Sequence, residues 1–380
     1  MLAHEGTGVS TYARLLKDVQ SGLSDCTFIL RTLASRLPPA IGAIGRHARR
    51  TKLQSDAGVG YDLVARDIFR RAHVHFGLYG TLLPVSPAVP SGVMHWTYPI
   101  PLYMRGWINI YAIHDVIPIL QPELSPVSSK RLHATLSEIS KVADAVTTIS
   151  DASLGDIAGL GLFPEDRIIN TGLTIEDAFS PKPEMADPLA LNGLQPKHYL
   201  LFSGSVEERK NVPRILAAYR RAGIVMPLVI VGPATVGNEG IENDIDATPG
   251  AIRLPYQTRE ALNALMAGAY ALVFISLAEG FGLPIIEAMA KGTAVLSSKI
   301  AAIEEVAGDA ALLVDPTDER AIADALRYLT DDRSVERHLV NKGLDRARFH
   351  SRERFARKMR GVYERFGLNP TQVTGLGRRV

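Results

Sequence analysis

The sequence "EGFGLPIIE", from Glu279 to Glu287, is predicted to join a buried strand to a helix. Before it, Tyr270 to Leu277 ("YALVFISL") is a continuous apolar run of strand length, which is typical of a parallel sheet covered on both faces. After it, the sequence "PIIEAMAKG" predicts a helix that begins near Pro284 and ends near Gly292. The chain is therefore predicted to be an α/β protein.

The loop between this strand and helix is a predicted anion site. Gly280 and Gly282 let a ligand approach the backbone closely, and the amides from Gly282 to Ile285 lie at the start of the helix. This position is the carboxyl end of a parallel strand, where open sheets bind their ligands. Helix N-termini favour phosphate groups, so we expect a phosphate here.

Two carboxylates, Glu279 and Glu287, border the predicted phosphate site, and hydroxyl groups are the partners that suit them. A carboxylate that accepts from a sugar hydroxyl contributes about 1.5 to 3 kcal/mol. The spacing alone is weak evidence: acids are 40 of 380 residues, so about four such pairs are expected by chance. The strand, the glycines and the proline give the pattern its specificity.

The segment resembles the Glu, seven residues, Glu motif of retaining GT-B glycosyltransferases of family 4, and its flanks match in "FISLAEGFGLPIIEAMAKGTAVLSSKIAAIEEVAGDAALLVDP". The resemblance implies two Rossmann-like doubly wound domains that face each other across a cleft. It implies that Glu279 contacts the hydroxyls of the transferred sugar, that Glu287 holds the ribose, and that Phe281, Gly282 and Leu283 border the donor. The alternative interpretation is that Glu279 is only a solvated acid in a loop and Glu287 only an acid in the first turn of a helix.

Composition excludes several classes of protein. The net charge of +2 gives no case for nucleic acid binding, and the single cysteine, Cys26, excludes an intrachain disulfide and a cysteine-based metal site. No apolar run reaches about 18 residues, and the first residues lack the layout of a signal peptide. We expect a cytoplasmic protein.

The amino-terminal sequence "GTGVSTYARLL", from Gly6, predicts a glycine turn that leads into an amphipathic helix. It resembles the glycine-rich loop of family 4, which places Gly6 and Gly8 near the donor phosphates and the acceptor. Only five residues precede Gly6, so either the start lies upstream or the first sheet lacks a central strand. The third glycine of a dinucleotide fingerprint is missing, which argues against a nicotinamide-dependent oxidoreductase.

The segment Arg31 to Lys52 has six Arg or Lys residues and no acid, interleaved with apolar residues. Two interpretations fit this pattern equally well. The segment could make a peripheral contact with anionic lipid at the inner face of the cytoplasmic membrane, or it could be an ordinary solvated surface of the protein. Further on, Ala72 to Gly80 ("AHVHFGLYG") reads as a strand that places His73 and His75 on one face. Metal binding by the pair is less expected than core packing, because no third ligand is nearby.

Candidate acceptor-side residues follow two predicted strands. His114 and Asp115 end the apolar run "INIYAI", where a histidine can bond a substrate hydroxyl near neutral pH. Ser150 follows the strand Ala145 to Ile149, where capping of the next helix would also explain it. The resemblance places these residues, and His95 in "HWTYPIP", beside the reacting sugar or the acceptor.

The second predicted domain opens with a strand, His198 to Gly204, and a helix from Val212 to Ala222. Arg209 and Lys210 precede this helix, where cations oppose the helix dipole unless an anion binds them. Pyrophosphate fits, and the family's Arg-Lys-Asn segment implies the same role. By the same resemblance, the residues that contact the base are Tyr256 and Gln257.

The predicted boundaries are residues 1–185 for the acceptor-side domain, with 354–380 crossing back to it, and 195–353 for the nucleotide-sugar domain. The resemblance implies a metal-independent, retaining hexosyltransferase in which His114, Glu279 and Lys210 are catalytic. GDP-mannose is the favoured donor, and a glycan or polyprenyl-diphosphate-linked saccharide is the expected acceptor. Alternatives are another GDP- or UDP-sugar, a GT-B epimerase or phosphorylase, and a nucleotide-sugar-binding protein without activity.

Overall fold

The computed structural model describes residues 8–21, 30–33, 51–56, 62–87, 91–175, 188–235 and 239–368. The chain divides into two compact units. The first comprises Met1–Ile149, Ser153–Thr171 and Ala356–Val380, and the second comprises Ser150–Ala152 and Gly172–Phe355. The division after Thr171 precedes the expected boundary at 185. Gly6, Cys26, residues 34–50 of the segment Arg31 to Lys52, and the last twelve residues lie outside the described residues.

The chain forms fourteen α-helices within the described residues, and they alternate with strands over most of its length. They are Gly8–Ser21 (α1), Ile68–Tyr79 (α2), Ile117–Leu120 (α3), Ser129–Ser140 (α4), Asp151–Gly159 (α5), Pro188–Leu191 (α6), Val212–Ala222 (α7), Glu239–Asp246 (α8), Arg259–Gly268 (α9), Leu283–Ala290 (α10), Ala301–Ala307 (α11), Glu319–Asp331 (α12), Arg333–Phe349 (α13) and Arg352–Glu364 (α14). From Ala356 onward, α14 belongs to the first unit.

The first unit contains two sheets. One has the order β1-β3-β2-β4-β6, in which only β2 and β3 are antiparallel; the other is parallel with the order β5-β7-β8-β9. The strands are Leu30–Leu33 (β1), Thr51–Asp56 (β2), Asp62–Arg66 (β3), Leu83–Pro87 (β4), Val93–Trp96 (β5), Leu102–Met104 (β6), Ile108–Ala112 (β7), Ala145–Thr148 (β8) and Ile168–Asn170 (β9). His114 therefore follows the carboxyl end of a parallel strand, as expected.

The predicted strand from Ala72 to Gly80 is wrong, because these residues lie in helix α2. Three apolar side chains four residues apart, Ile68, Ala72 and Phe76, are buried together and define one helical face. Gly80, at φ +66°, ends the helix and donates its N–H to the Phe76 carbonyl. The histidines of this segment therefore do not share the face of a strand.

The second unit is built on a six-stranded parallel sheet with the order β12-β11-β10-β13-β14-β15. The strands are Leu200–Ser203 (β10), Leu228–Val231 (β11), Ala251–Leu254 (β12), Ala271–Phe274 (β13), Ala294–Ser298 (β14) and Leu312–Val314 (β15). Leu200 and Phe202 pack in one core cluster and Leu201 in another, so both faces of the sheet are covered by helices.

The strand order of the second unit reverses between β10 and β13, which are neighbours in the sheet although two strands separate them in sequence. A crevice at the carboxyl ends of the strands is expected at such a switch point, and ligands of doubly wound sheets bind there. The loop after β10 carries Arg209 and Lys210, and the loop after β13 carries Glu279. The topology thus places three predicted site residues at the switch point.

Candidate active site

Lys210 and Glu279 form the centre of the candidate site in the second unit. Lys210 ends a short 3₁₀ turn, Glu208–Lys210, and its Nζ lies 2.5 Å from Glu279 Oε1. The ammonium also lies 4.8 Å from the centre of the Phe274 ring, at the end of β13. Only 8% of the lysine is exposed, so its charge is held where water screens it poorly.

Arg209 completes the charge cluster from the opposite side of the Glu279 carboxylate. Its Nη1 lies 3.1 Å from Glu279 Oε2, and its Nη2 lies 2.8 Å from Glu207 Oε1. The Arg209 carbonyl accepts from the Leu277 N–H at 2.8 Å, which joins the loops after β10 and β13. The Glu279 carboxylate therefore bridges two cations. Glu207 also belongs to this charge cluster, although the sequence did not point to it.

Glu279 is ionised at neutral pH in this arrangement. Burial raises the pKa of its carboxyl group, but the charges of Lys210 and Arg209 outweigh burial and hold that pKa below its ordinary value. The site thus contains two cations whose nearest anions are protein carboxylates. A ligand phosphate that enters must share these cations with Glu279.

The start of α10 has the backbone conformation that the glycines predict. Gly282 has φ +92° and precedes the helix, whose first residue is Leu283. Ile285 already donates its N–H to the Gly282 carbonyl at 2.9 Å, and Pro284 has no N–H. Of the four amides predicted to bind phosphate, the N–H groups of Gly282 and Leu283 are the two that suit this role. Phe281 is buried with its ring edge against His350.

Alanine at position 282 is expected to lower the free energy of unfolding by about 1 to 3 kcal/mol, because the left-handed conformation disfavours a side chain. Its Cβ would also lie 2.6 Å from Ile303 Cδ1. Urea denaturation measures the change. Gly240→Ala in α8 is the control, since a Cβ there meets nothing within 4 Å. Equal stability of the two variants would contradict the prediction.

Glu287 lies one turn into α10 and is buried, with 4% of its surface exposed. Its Oε1 accepts a hydrogen bond from Arg259 Nη2, which forms an ion pair. Arg259 is the first residue of α9. Sequence reasoning missed it, although a cation at a helix N-terminus is the same signal that pointed to Arg209 and Lys210.

Two predicted base-contacting residues lie in the loop between β12 and α9, shortly before Arg259. Tyr256 is 68% exposed, and Gln257 donates to the Pro255 carbonyl at 3.0 Å. Ser150 belongs to the second unit, where its hydroxyl donates to the Gly280 carbonyl at 2.7 Å, and its acceptor-side role stays a prediction. It contacts the loop that carries the Glu279 motif.

The first unit brings two other candidates, His95 and His114, together around Tyr12 of α1. The His114 ring centre lies 4.8 Å from that of Tyr12, and His114 Nε2 lies 3.0 Å from the Thr97 carbonyl oxygen. Burial lowers the pKa of His114, so its ring is neutral at pH 7. Asp115 accepts from the N–H of Ile117, the first residue of α3. Gly8 is the first residue of α1.

His95 has hydrogen-bond partners at both ring nitrogens. Nδ1 lies 2.8 Å from the Tyr363 hydroxyl of α14, and Nε2 lies 3.1 Å from Thr147 Oγ1 and 3.3 Å from the Tyr12 hydroxyl. Burial, with a contribution from the charge of His114, lowers the pKa of His95 to about 3. This side chain is held inside the first unit, which favours a role in packing and orientation.

The buried His95 predicts an acid-labile first unit. Above pH 6.5 the ring is neutral in both states, whereas between pH 6.5 and 3 only the unfolded chain binds the proton, so stability falls as pH falls. The loss from pH 7 to pH 5 is expected to be about 2 kcal/mol. Both tryptophans, Trp96 and Trp107, belong to the first unit, so their fluorescence in urea reports its unfolding.

The control for this prediction is the exposed His133 of α4. His95→Gln is expected to reduce the pH dependence, and His133→Gln is expected to retain it. Identical pH dependence in wild type and His95→Gln would show that other groups cause the acid lability.

Among the described residues, no group of three or more His, Cys, Asp or Glu side chains could hold a metal ion. The second-unit site has a partly buried carboxylate, Glu279, held by two cations, and a buried carboxylate, Glu287, nearby in sequence on α10. This arrangement suits a ligand that carries both hydroxyl groups and phosphate.

Comparison with known sequences identifies relatives that are named mannosyltransferases. O-antigen chain mannosyltransferase B of Escherichia coli is 34% identical over 239 residues, which are 59% of this chain and 61% of the relative. The serotype-specific mannosyltransferase WbdA of Escherichia coli is 27% identical over 259 residues, which are 64% of this chain and 32% of the relative. The chain thus spans less than two thirds of the length of either relative.

Comparison with solved structures gives similar folds at low identity. Sucrose-phosphate synthase from Thermosynechococcus elongatus has a TM-score of 0.68 and 18% identity, with 95% of this chain and 94% of that one covered. Anabaena Alr3699/HepE, in complex with UDP and glucose, has a TM-score of 0.63 and 15% identity, with 89% and 99% covered. The chain therefore has the predicted GT-B fold. Residues 191–346 match the family model of glycosyl transferases group 1, and the second unit carries a domain of this family.

Proposed function

We propose that the chain is a retaining glycosyltransferase that transfers mannose from GDP-mannose to a hydroxyl group of a glycan or of a polyprenyl-diphosphate-linked saccharide. The observation that carries the proposal is the partly buried Glu279 carboxylate between Lys210 and Arg209, at the switch point of a parallel sheet. The relatives that are named mannosyltransferases support the choice of sugar.

The leaving group explains why two cations lie at the switch point. When the bond between the sugar carbon and the phosphate oxygen breaks, negative charge develops on the nucleoside diphosphate. Lys210 and Arg209 stabilise this charge in a site of low dielectric, and the amides of Gly282 and Leu283 add to it. The acceptor oxygen forms the new bond to the sugar carbon on the face from which the diphosphate leaves, and its proton goes to a phosphate oxygen.

The carboxylates bind hydroxyl groups in this proposal. Glu279, fixed by two cations, accepts from the hydroxyls of the transferred sugar, while Glu287 accepts from the ribose. His114, with a neutral ring at pH 7, bonds a hydroxyl of the sugar. Neither Glu279 nor Glu287 needs to form a covalent intermediate, because attack on the face from which the diphosphate leaves already retains the configuration of the sugar carbon.

Calorimetric titration with GDP, UDP, ADP and their sugar nucleotides, in the presence and absence of EDTA, tests the donor. We expect selective binding of GDP and GDP-mannose that EDTA does not change. NMR of the products formed with mannose-terminated oligosaccharides tests retention of the anomeric configuration. Turnover without an acceptor would indicate an epimerase or phosphorylase, and binding of no nucleotide would overturn the proposal.

The proposal also includes action at a membrane surface, because the relatives are named for O-antigen chains. Within the described residues, no helix is both long enough and apolar enough to cross a bilayer. The contact is assigned to the basic segment Arg31 to Lys52, which attracts anionic lipid. Vesicles with and without anionic lipid test this assignment, and equal binding to both would contradict it.

A further inference from the structure

Glu287 is a buried carboxylate in an otherwise apolar part of α10. Its neighbours Ile285, Ile286, Ala288 and Met289 are all buried, and only 6% of the Glu287 side chain is exposed. Burial of a charge is costly unless the charge is paired. Arg259 provides the pair through a single hydrogen bond to Oε1. No hydrogen bond from the described residues reaches Oε2.

Arg259 is poorly explained by its own helix. It is the first residue of α9, and Thr258 already caps that helix by accepting from the Ala261 N–H. A cation at this end opposes the helix dipole by about 0.3 to 1 kcal/mol. The helix therefore gives no reason for an arginine here, whereas the carboxylate on the next helix does.

The helix that carries Glu287 also offers it a different cation. Lys291 directly follows the last residue of α10, and its Nζ donates to the Glu287 carbonyl at 3.3 Å. Burial lowers the pKa of Lys291, and the charge of Glu287 opposes that shift, so the two groups interact. Lys291 lies toward the end of α10 that is remote from the predicted phosphate site.

We propose that Arg259 is a positioning residue that orients Glu287 for the ribose of the donor. The guanidinium occupies Oε1 and leaves Oε2 to accept from the ribose hydroxyls. Without Arg259 the carboxylate turns toward Lys291, and recognition of the ribose is lost while the diphosphate contacts at Lys210 and Arg209 remain. This inference rests on the proposed function, since it assigns the partner of Glu287 to a nucleotide.

An ion pair that only joined α9 to α10 would affect stability and would not distinguish ribose from deoxyribose. The two roles are separated by the affinity ratio between GDP and its 2′-deoxy and 3′-deoxy analogues, with the UDP series measured in parallel. We expect wild type to bind GDP about ten-fold or more tightly than at least one of the two deoxy analogues. A hydrogen bond to a charged group contributes enough binding free energy for such a ratio.

The variants are Arg259→Gln, Arg259→Lys, Glu287→Gln and the double variant Arg259→Gln/Glu287→Gln. Arg259→Gln is expected to weaken GDP binding while leaving the affinity for the deoxy analogue unchanged, so that the ratio falls toward one. The double variant should match Glu287→Gln, because the arginine acts through the carboxylate. Lysine should restore part of the ratio, because it keeps the charge but lacks the planar fork of the guanidinium.

Arg220→Gln is the matched control, because Arg220 also pairs with a carboxylate of the second unit, Asp244, at 2.8 Å. It should retain the full ratio. If wild type discriminates and both Arg259 variants keep the full ratio, the inference is overturned while the proposed function stands. If wild type binds neither GDP nor UDP, the proposed function fails and the inference fails with it.

Discussion

Replacement of Lys210 by methionine is expected to lower kcat/KM for sugar transfer by about 10²- to 10³-fold, the usual cost of removing one donor that stabilises developing charge. The side chain is buried between Glu279 and the Phe274 ring, so no water-exposed cation can take its place. GDP binding should weaken in parallel, because the ammonium contacts the diphosphate before and after transfer. Steady-state kinetics and calorimetry measure the two effects.

The control for this variant is Lys342→Met. Lys342 also forms a close pair with a carboxylate, Asp309, at 2.6 Å, but more than a third of its side chain is exposed. Its removal should leave kcat/KM unchanged within about two-fold, because exposed ion pairs contribute little. A Lys210→Met enzyme with undiminished kcat/KM would overturn the assignment of the diphosphate to this cluster.

Replacement of Glu279 by glutamine is expected to separate binding from transfer. The amide no longer neutralises Lys210 and Arg209, so GDP should bind at least as tightly as to wild type. Transfer should nevertheless fall by about 10- to 150-fold, since a charge-assisted hydrogen bond to the sugar is lost. Calorimetry with GDP and steady-state kinetics with the sugar nucleotide test the two directions independently.

A parallel loss of GDP affinity in Glu279→Gln would contradict this prediction, since it would indicate that the carboxylate mainly holds the two cations in place. Glu242→Gln provides the comparison, because Glu242 pairs with Arg253 in the same unit at 2.9 Å. That variant should leave GDP binding unchanged. The measurement thus distinguishes a carboxylate that contacts the sugar from one that only organises the loop.

Much of the second unit could be predicted from sequence because its strands are short, continuous apolar runs separated by glycine and proline. The run before Glu279 becomes β13, and the proline and glycine signals locate α10 to within one or two residues. The pairing of Lys210 with Glu279 could not be read from spacing, since the two residues are 69 apart. It follows from the strand order, which places β10 beside β13.

The wrong strand prediction and the missed contacts have the same physical cause: tertiary packing, which a local sequence pattern does not show. Ala72 to Gly80 contains β-branched and aromatic residues that favour a strand, but burial of one helical face in the first unit outweighs that preference. The contact of the Ser150 hydroxyl with the Gly280 carbonyl could not be predicted either, because the two residues lie 130 positions apart. Arg259 was missed because its partner, Glu287, lies on a separate helix.

The hydrogen bond between His95 and Tyr363 joins residues that are 268 positions apart. During synthesis on the ribosome, the second unit can therefore complete its sheet before helix α14 has emerged to complete the first. The first unit is complete only after one of the last segments of the chain has been synthesised. Loss of the chain from Ala356 onward, which includes most of α14, should consequently impair the amino-terminal unit, far away in sequence, while the intervening unit, from Gly172 to Phe355, retains its own core.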